Sequence, residues 1–355
     1  MRKIRCLLIA FSFVLIIIGG FLYKNSFKST DVLDEIINFD ELDDDFMKNY
    51  YKGTEEILNE GNEDNVLIIV SKKKPKDVYG AKRVVDAPNN TYILEYKTER
   101  NMDEAKKNFE SDKNIYSVIK NRKYTLMDDE SNNYNSWGIQ KAGLDNAIRV
   151  VNQKGGESVT AAIIDTGCDM ELFNASYEGK IEEVYNLYET GIYGNDMMFD
   201  HFGHGTHIAG TIAEGTSDNV KILPVKVSDE SSMSTVAILD AIYYIADNHK
   251  ADVINMSFGA RVGNDHNIDF SDDPEYVAIE TARRENIISV VAAGNENTDD
   301  VDVPAFFDNT ISISAVDQNL DKADFSNYGS TVDFAAPGVD IFFIISSNFI
   351  DLFNE

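Results

Sequence analysis

The sequence predicts an α/β protein: a parallel sheet with helices on both faces, preceded by a small α+β unit. Two observations lead there. From Trp137 onward, apolar and partly β-branched runs at 159–164, 220–227, 253–257, 287–293 and 310–315 alternate with helical stretches such as 234–246 and 274–285. Strands with nearly continuous apolar residues are buried on both faces, which is the condition of a parallel sheet covered by helices. Upstream, short strand-like runs at 66–70, 92–96 and 116–119 surround a stretch of helical spacing at 102–109, which suits a separate α+β unit over 65–127. Residues 128–135 are polar and read as a linker, so the large domain spans 128–355.

Composition narrows the function. The chain has 355 residues, with 32 Lys and Arg against 61 Asp and Glu, a formal net charge of -29. Phosphate backbones are held by clustered cations, so nucleic acid is excluded as a partner. Two cysteines cannot form a disulfide framework, so the fold must rest on its core.

The N-terminus carries three cations, Arg2, Lys3 and Arg5, followed by an uncharged stretch over 6–23 rich in Leu, Ile and Phe. Residues 1–30 therefore read as a signal peptide or membrane anchor, the anchor being favoured because no Ala-x-Ala follows. The bulk of the chain would then be extracytoplasmic, either anchored through its N-terminus or secreted. Residues 31–64 are rich in Asp, Glu and Asn and are expected to form an acidic spacer with some helix.

In parallel sheets functional residues gather where the strands end. After the first run comes Asp165-Thr166-Gly167. Further on come His204-Gly205-Thr206-His207, then Asn255-Met256-Ser257-Phe258-Gly259, and then Ala293-Gly294-Asn295-Glu296. Each has a plainer reading. Asp165 could be a turn former, or half of a paired-aspartate site, although only one Asp-Thr-Gly occurs. His201, His204 and His207 could be a metal cluster, but no Glu lies among them as the common zinc helix motif requires. Cys168 reads as an inert buried thiol.

Taken in this order, with Asp324-Phe325-Ser326-Asn327-Tyr328-Gly329 and Ala336-Pro337-Gly338-Val339, the motifs resemble those of subtilisin-like serine proteases over about 137–339. The resemblance implies a peptide-hydrolysing enzyme in which Asp165 orients His204, His204 serves as general base, and Asn295 donates to an oxyanion. It also implies that Ser257, Phe258 and Gly259 pair with extended polypeptide substrate. The unit over 65–127, with Tyr92-Ile93-Leu94-Glu95-Tyr96 and Arg122-Lys123-Tyr124-Thr125-Leu126, is similar to the propeptide that folds and inhibits these enzymes. No cofactor is implied for catalysis, and calcium would be a structural ion.

One part of the pattern is missing. The family carries its nucleophile in Gly-Thr-Ser-x-Ala beyond the Ala-Pro-Gly-Val element, and the 355 residues end at Glu355 without it. Gly215-Thr216-Ser217 is followed by Asp218-Asn219 and reads as a loop, while Ser346 and Ser347 lack the Gly-Thr context. The expectation is a serine endopeptidase by family, truncated before its serine and inactive as it stands. The alternatives are a pseudoprotease that binds peptides without cutting them and, more weakly, a metal-dependent hydrolase built on the histidines.

Overall fold

The computed structural model describes residues 44–59, 63–126, 137–154, 157–187 and 200–341. The expected signal or anchor lies outside them, as do Ser346 and Ser347. Among the described residues no helix is long and apolar enough to cross a membrane.

The chain begins with α1 (Asp44–Asn59), then β1 (Val66–Ser71), β2 (Arg83–Ala87), β3 (Thr91–Glu95), α2 (Glu99–Glu110), β4 (Ile115–Lys120) and β5 (Lys123–Leu126). Strands β2, β3, β1 and β4 form an antiparallel sheet in that order. Side chains alternate across β1, so Leu67 and Ile69 pack under α2 with Met102, Ala105 and Phe109. Val66, Ile68 and Val70 face the other way, into the core of the large domain. The small unit is thus docked by the face of its own sheet.

The large domain continues with α3 (Trp137–Ala142), α4 (Leu144–Lys154), β6 (Val159–Asp165), α5 (Met170–Tyr177), β7 (Tyr185–Asn186), α6 (His204–Gly215), β8 (Val220–Lys226), β9 (Ser232–Ser234) and α7 (Thr235–Asp247). It closes with β10 (Val253–Met256), β11 (Phe258–Gly263), α8 (Pro274–Arg284), β12 (Ile288–Ala292), β13 (Val301–Val303), β14 (Ile311–Val316) and β15 (Phe334–Pro337). Seven of these strands form one sheet in the order β15-β14-β12-β10-β6-β8-β7, every neighbouring pair parallel. Strand β6 shows why its central residues, Ala161–Ile164, are apolar without a break. Ala162 and Ile164 enter the core with α7 and α8, while Ala161 and Ile163 enter the core with Trp137, Phe173 and Ile208 on the opposite face. Both faces are dry, as the unbroken apolar runs require.

Two expectations need correction. Residues 44–59 are no spacer: Met47, Tyr50, Thr54, Ile57 and Leu58 recur at helical spacing and are buried. They pack on α7, where Thr54 Oγ1 donates to Asp240 Oδ2 at 3.3 Å and the Tyr50 and Tyr243 rings meet edge to face. Burial in this interface raises the Asp240 carboxyl well above the usual range. The second correction concerns 123–126, which the sequence reading left inside the small unit. Strand β5 pairs with neither β1 nor β4. It lies antiparallel between β9 and β11 of the large domain, giving a third sheet in the order β13-β11-β5-β9.

Candidate active site

Because the seven strands of the large sheet are parallel, the residues that follow them collect at one edge. Asp165 is the last residue of β6 and fully buried. His204 is the first residue of α6, and its Nδ1 lies 2.7 Å from Asp165 Oδ1 and 2.8 Å from Oδ2. The carboxylate is held by its own turn: Thr166 donates to Oδ1 from its backbone N–H at 2.7 Å and from Oγ1 at 3.2 Å. A carboxylate can only accept, so it fixes the imidazole proton on Nδ1 and leaves the basic lone pair on Nε2. An orienting acid with a ring in that tautomer can take a proton from a hydroxyl and return it to a leaving group.

Three residues outside the expected set build this pair. Helix α6 opens on Gly203, which has no side chain to cap it and a φ of 88°. Asp200 caps in its place: Oδ1 accepts from Gly203 N at 2.8 Å, and Oδ2 accepts from Thr206 N at 2.8 Å and Thr206 Oγ1 at 2.7 Å. Across the turn, Thr166 Oγ1 accepts from Gly205 N at 2.9 Å, tying the helix start to the strand end. Lys226, buried at the end of β8, donates to Thr166 O at 2.8 Å and pairs with Asp229 at 2.5 Å. The only sequence signal for Asp200 is its place within one turn before His204, and none marks Lys226.

Asn295 follows β12 in a loop and is half-buried. Its neighbours are held by Asn327, whose backbone N–H donates to Gly294 O at 2.9 Å and whose Oδ1 accepts from Glu296 N at 2.9 Å and Thr298 N at 3.2 Å. Asn327 Nδ2 donates to Glu296 Oε2 at 3.0 Å and Asp302 Oδ2 at 2.7 Å. Burial, and then the Glu296 charge, push the Asp302 carboxyl up to about 6. Gly294 has φ +109°, and a Cβ there would lie 2.1 Å from Asn327 Nδ2, so only glycine permits this approach. The Asp324–Gly329 motif thus buttresses the Asn295 loop.

Ser257 links β10 to β11, and its Oγ accepts from Asn255 Nδ2 at 3.0 Å. Phe258 and Gly259 open β11 and pair with Leu126 and Thr125 of β5. The strand expected to hold extended backbone therefore holds one, supplied by this chain.

The other candidates separate. Ser217 lies beyond the far end of α6, about 18 Å of helix from His204, so it cannot reach the imidazole. The three histidines have different surroundings: His201 is exposed beside Asp229, 3.4 Å away, whereas His207 is buried with its Nδ1 3.4 Å from Thr211 Oγ1. Cys168 is buried, and burial, with Asp200 and Asp169 nearby, raises its thiol far above the reactive range.

His207 makes a prediction. Burial, and then the neighbouring His204, push its pKa from 6.5 down to about 3. The unfolded chain therefore takes up a proton below pH 6.5 that the folded chain refuses, and stability falls as pH falls from 6.5 toward 3. The loss between pH 7 and 4 should be roughly 3 kcal/mol for this group alone. Urea unfolding across that range is expected to show a shallower acid loss for His207→Gln than for the parent. Equal slopes would place the acid sensitivity elsewhere.

Comparison with known proteins agrees with this geometry. The profile of the subtilase family matches residues 156–351. Alkaline protease 1 of Aspergillus flavus is 32% identical over 214 residues, covering 58% of this chain and 50% of that protein. The thermophilic serine proteinase of Bacillus sp. strain AK1 is 31% identical over 290 residues, covering 79% of this chain and 64% of that protein. This chain spans about half the length of the alkaline proteases it matches. In fold it is similar to the epidermin leader peptide processing serine protease of Staphylococcus aureus, with a TM-score of 0.57 at 20% identity, covering 77% of this chain and 75% of that one. With Asp165 and His204 joined at the edge of a subtilisin-like sheet, and with the family profile spanning more than half of the sequence, the chain belongs to the subtilase family.

Proposed function

We propose that this chain carries the orienting acid, the base and the peptide groove of a serine endopeptidase that acts on extended polypeptides. The Asp165–His204 contact at 2.7 and 2.8 Å supports it most directly. In this reading Asp165 supports the imidazolium, His204 shuttles the proton, and Asn295 donates to the oxyanion. The 355 residues contain no Gly-Thr-Ser-x-Ala, so hydrolysis needs a serine that these residues do not supply. No cofactor is needed for such chemistry, and calcium would serve only as a structural ion. Residues 1–30 would carry the protein across or into a membrane, and fractionation of expressing cells checks that assignment.

The small unit over 65–127 would act as an intramolecular inhibitor. Its last strand lies in the groove between β9 and β11, with Thr125 and Leu126 paired to Gly259 and Phe258 as a substrate would be. A fragment covering 65–127, added to an intact subtilase of close sequence, is expected to inhibit it at micromolar concentration or below. Failure to inhibit would leave the unit as a docked domain without that role. The same groove supports a second reading, a protein that holds peptides without cutting them; peptide hydrolysis after the family's Gly-Thr-Ser-x-Ala segment is appended separates the two.

A further inference from the structure

Strand β5 turns Lys123 and Thr125 outward and buries Tyr124 completely. The Tyr124 ring meets Phe258 edge to face at 5.6 Å, and its hydroxyl donates to Glu275 Oε2. Two residues earlier, Arg122 sends Nη1 to Glu275 Oε2 at 3.2 Å and Nη2 to Asp273 Oδ2. The backbone is fixed as well: Arg122 N donates to Thr235 Oγ1 at 3.0 Å, and Thr235 N donates to Arg122 O at 3.1 Å.

Both carboxylates belong to the groove wall, at the start of α8. Asp273 is the N-cap, accepting from Glu275 N at 3.0 Å, and Glu275 stands in the first turn. They are almost fully buried, at 3% and 1% exposure. Glu275 Oε1 is buried without a hydrogen-bond partner, and burial pushes the carboxyl up to about 7 even though Arg122 opposes the shift. Two buried acids are costly in a groove that needs only apolar walls to hold an aromatic ring. Their cost is offset when a planar guanidinium reaches both and a phenol hydroxyl meets one, a pattern that a lysine or a phenylalanine does not reproduce.

We propose that Glu275 and Asp273 make this groove selective for extended polypeptides with an arginine two residues before a tyrosine, the chain's own Arg122 and Tyr124 being the first occupants. This rests on the reading that the groove between β9 and β11 receives substrate backbone. Truncating either recognised side chain strips a hydrogen bond from a buried acid, and sites of that kind discriminate sharply.

The test uses the full chain with Arg122→Ala and Tyr124→Ala, which weakens the hold of its own strand. Labelled peptides of sequence Asn-Arg-Lys-Tyr-Thr-Leu are compared by fluorescence anisotropy with versions in which Arg is replaced by Ala or Lys and Tyr by Phe. The parent peptide is expected to bind at least tenfold more tightly than each altered one, and adding Glu275→Leu to the protein should abolish the advantage of Tyr over Phe. Equal binding of all peptides overturns the selectivity and leaves the groove assignment standing. Binding of none, by a variant whose circular dichroism and melting match the parent, overturns the groove assignment itself. If the double variant does not fold, hydrogen exchange on the chain with Asp273→Asn or Glu275→Gln decides. The amides of 123–126 are then expected to open at least tenfold faster than in the unaltered chain, and unchanged exchange overturns the proposal.

Discussion

Treated with a fluorophosphonate, the 355-residue chain is expected to stay unlabelled. The same chain extended by the Gly-Thr-Ser-x-Ala segment of a close relative is expected to react. The probe needs a serine whose proton is being taken by a positioned base, and the contact between His204 and Asp165 supplies that base without supplying the serine. In the extended chain His204→Ala should lower peptide hydrolysis by about 10⁶ and Asp165→Asn by about 10⁴. Asn295→Ala should lower it by roughly 10²–10³. Those magnitudes are carried over from subtilisin and trypsin, so the order of the three effects is the sharper expectation. His204→Ala combined with Asp165→Asn should be no worse than His204→Ala alone, because the groups act as a unit. Labelling of the unextended chain at Ser217, Ser346 or Ser347 would sink this account, since a dismissed serine would then be reaching the imidazole.

What the sequence made legible follows from how local each signal was. Strand β6 could be read because Ala161–Ile164 are apolar without a break, and a strand buried on both faces leaves that mark within one window. Asp165 and His204 could be read because each stands at the end or start of an element within a short motif. Strand β5 could not be assigned to its sheet, because its partners Ser232–Ser234 and Phe258–Gly259 lie more than a hundred residues away and nothing in Lys-Tyr-Thr-Leu encodes them. Helix α1 was obscured by its acidic surface: the buried Met47, Tyr50, Ile57 and Leu58 are diluted among Asp, Glu and Lys that face solvent. Asp200, Lys226 and Asn327 were missed for one further reason. Lys226 and Asn327 act on backbone atoms of another segment, Asp200 caps a helix start three to six residues on, and a side chain that holds backbone in this way looks like any other polar residue in the sequence.

The same reasoning gives Gly205 a larger role than a helix glycine ordinarily has. In an exposed helix interior, replacing Gly by Ala gains about 1 kcal/mol, because alanine loses less conformational entropy. At position 205 the sign should reverse. A Cβ there would stand 2.2 Å from Gly167 O, 3.0 Å from Gly167 N and 3.2 Å from Asp165 Oδ1. The first two are backbone atoms, and neither side yields without cost. Strand β6 is clamped between β8 and β10, while the start of α6 is tied to Asp200 and to Thr166 Oγ1. Gly205→Ala must therefore lift the first turn of α6 away from the Asp165–Gly167 turn, at a cost of about 3 kcal/mol or more. His204 precedes Gly205 on that turn, so the 2.7 Å contact with Asp165 should lengthen with it. In the serine-extended chain, peptide hydrolysis should fall at least a hundredfold, since a displacement of about 1 Å in a positioned base costs that much. Urea unfolding checks the first effect and the hydrolysis rate the second. A Gly205→Ala variant as stable and as active as its parent would show that helix and strand do not meet as closely as these distances require.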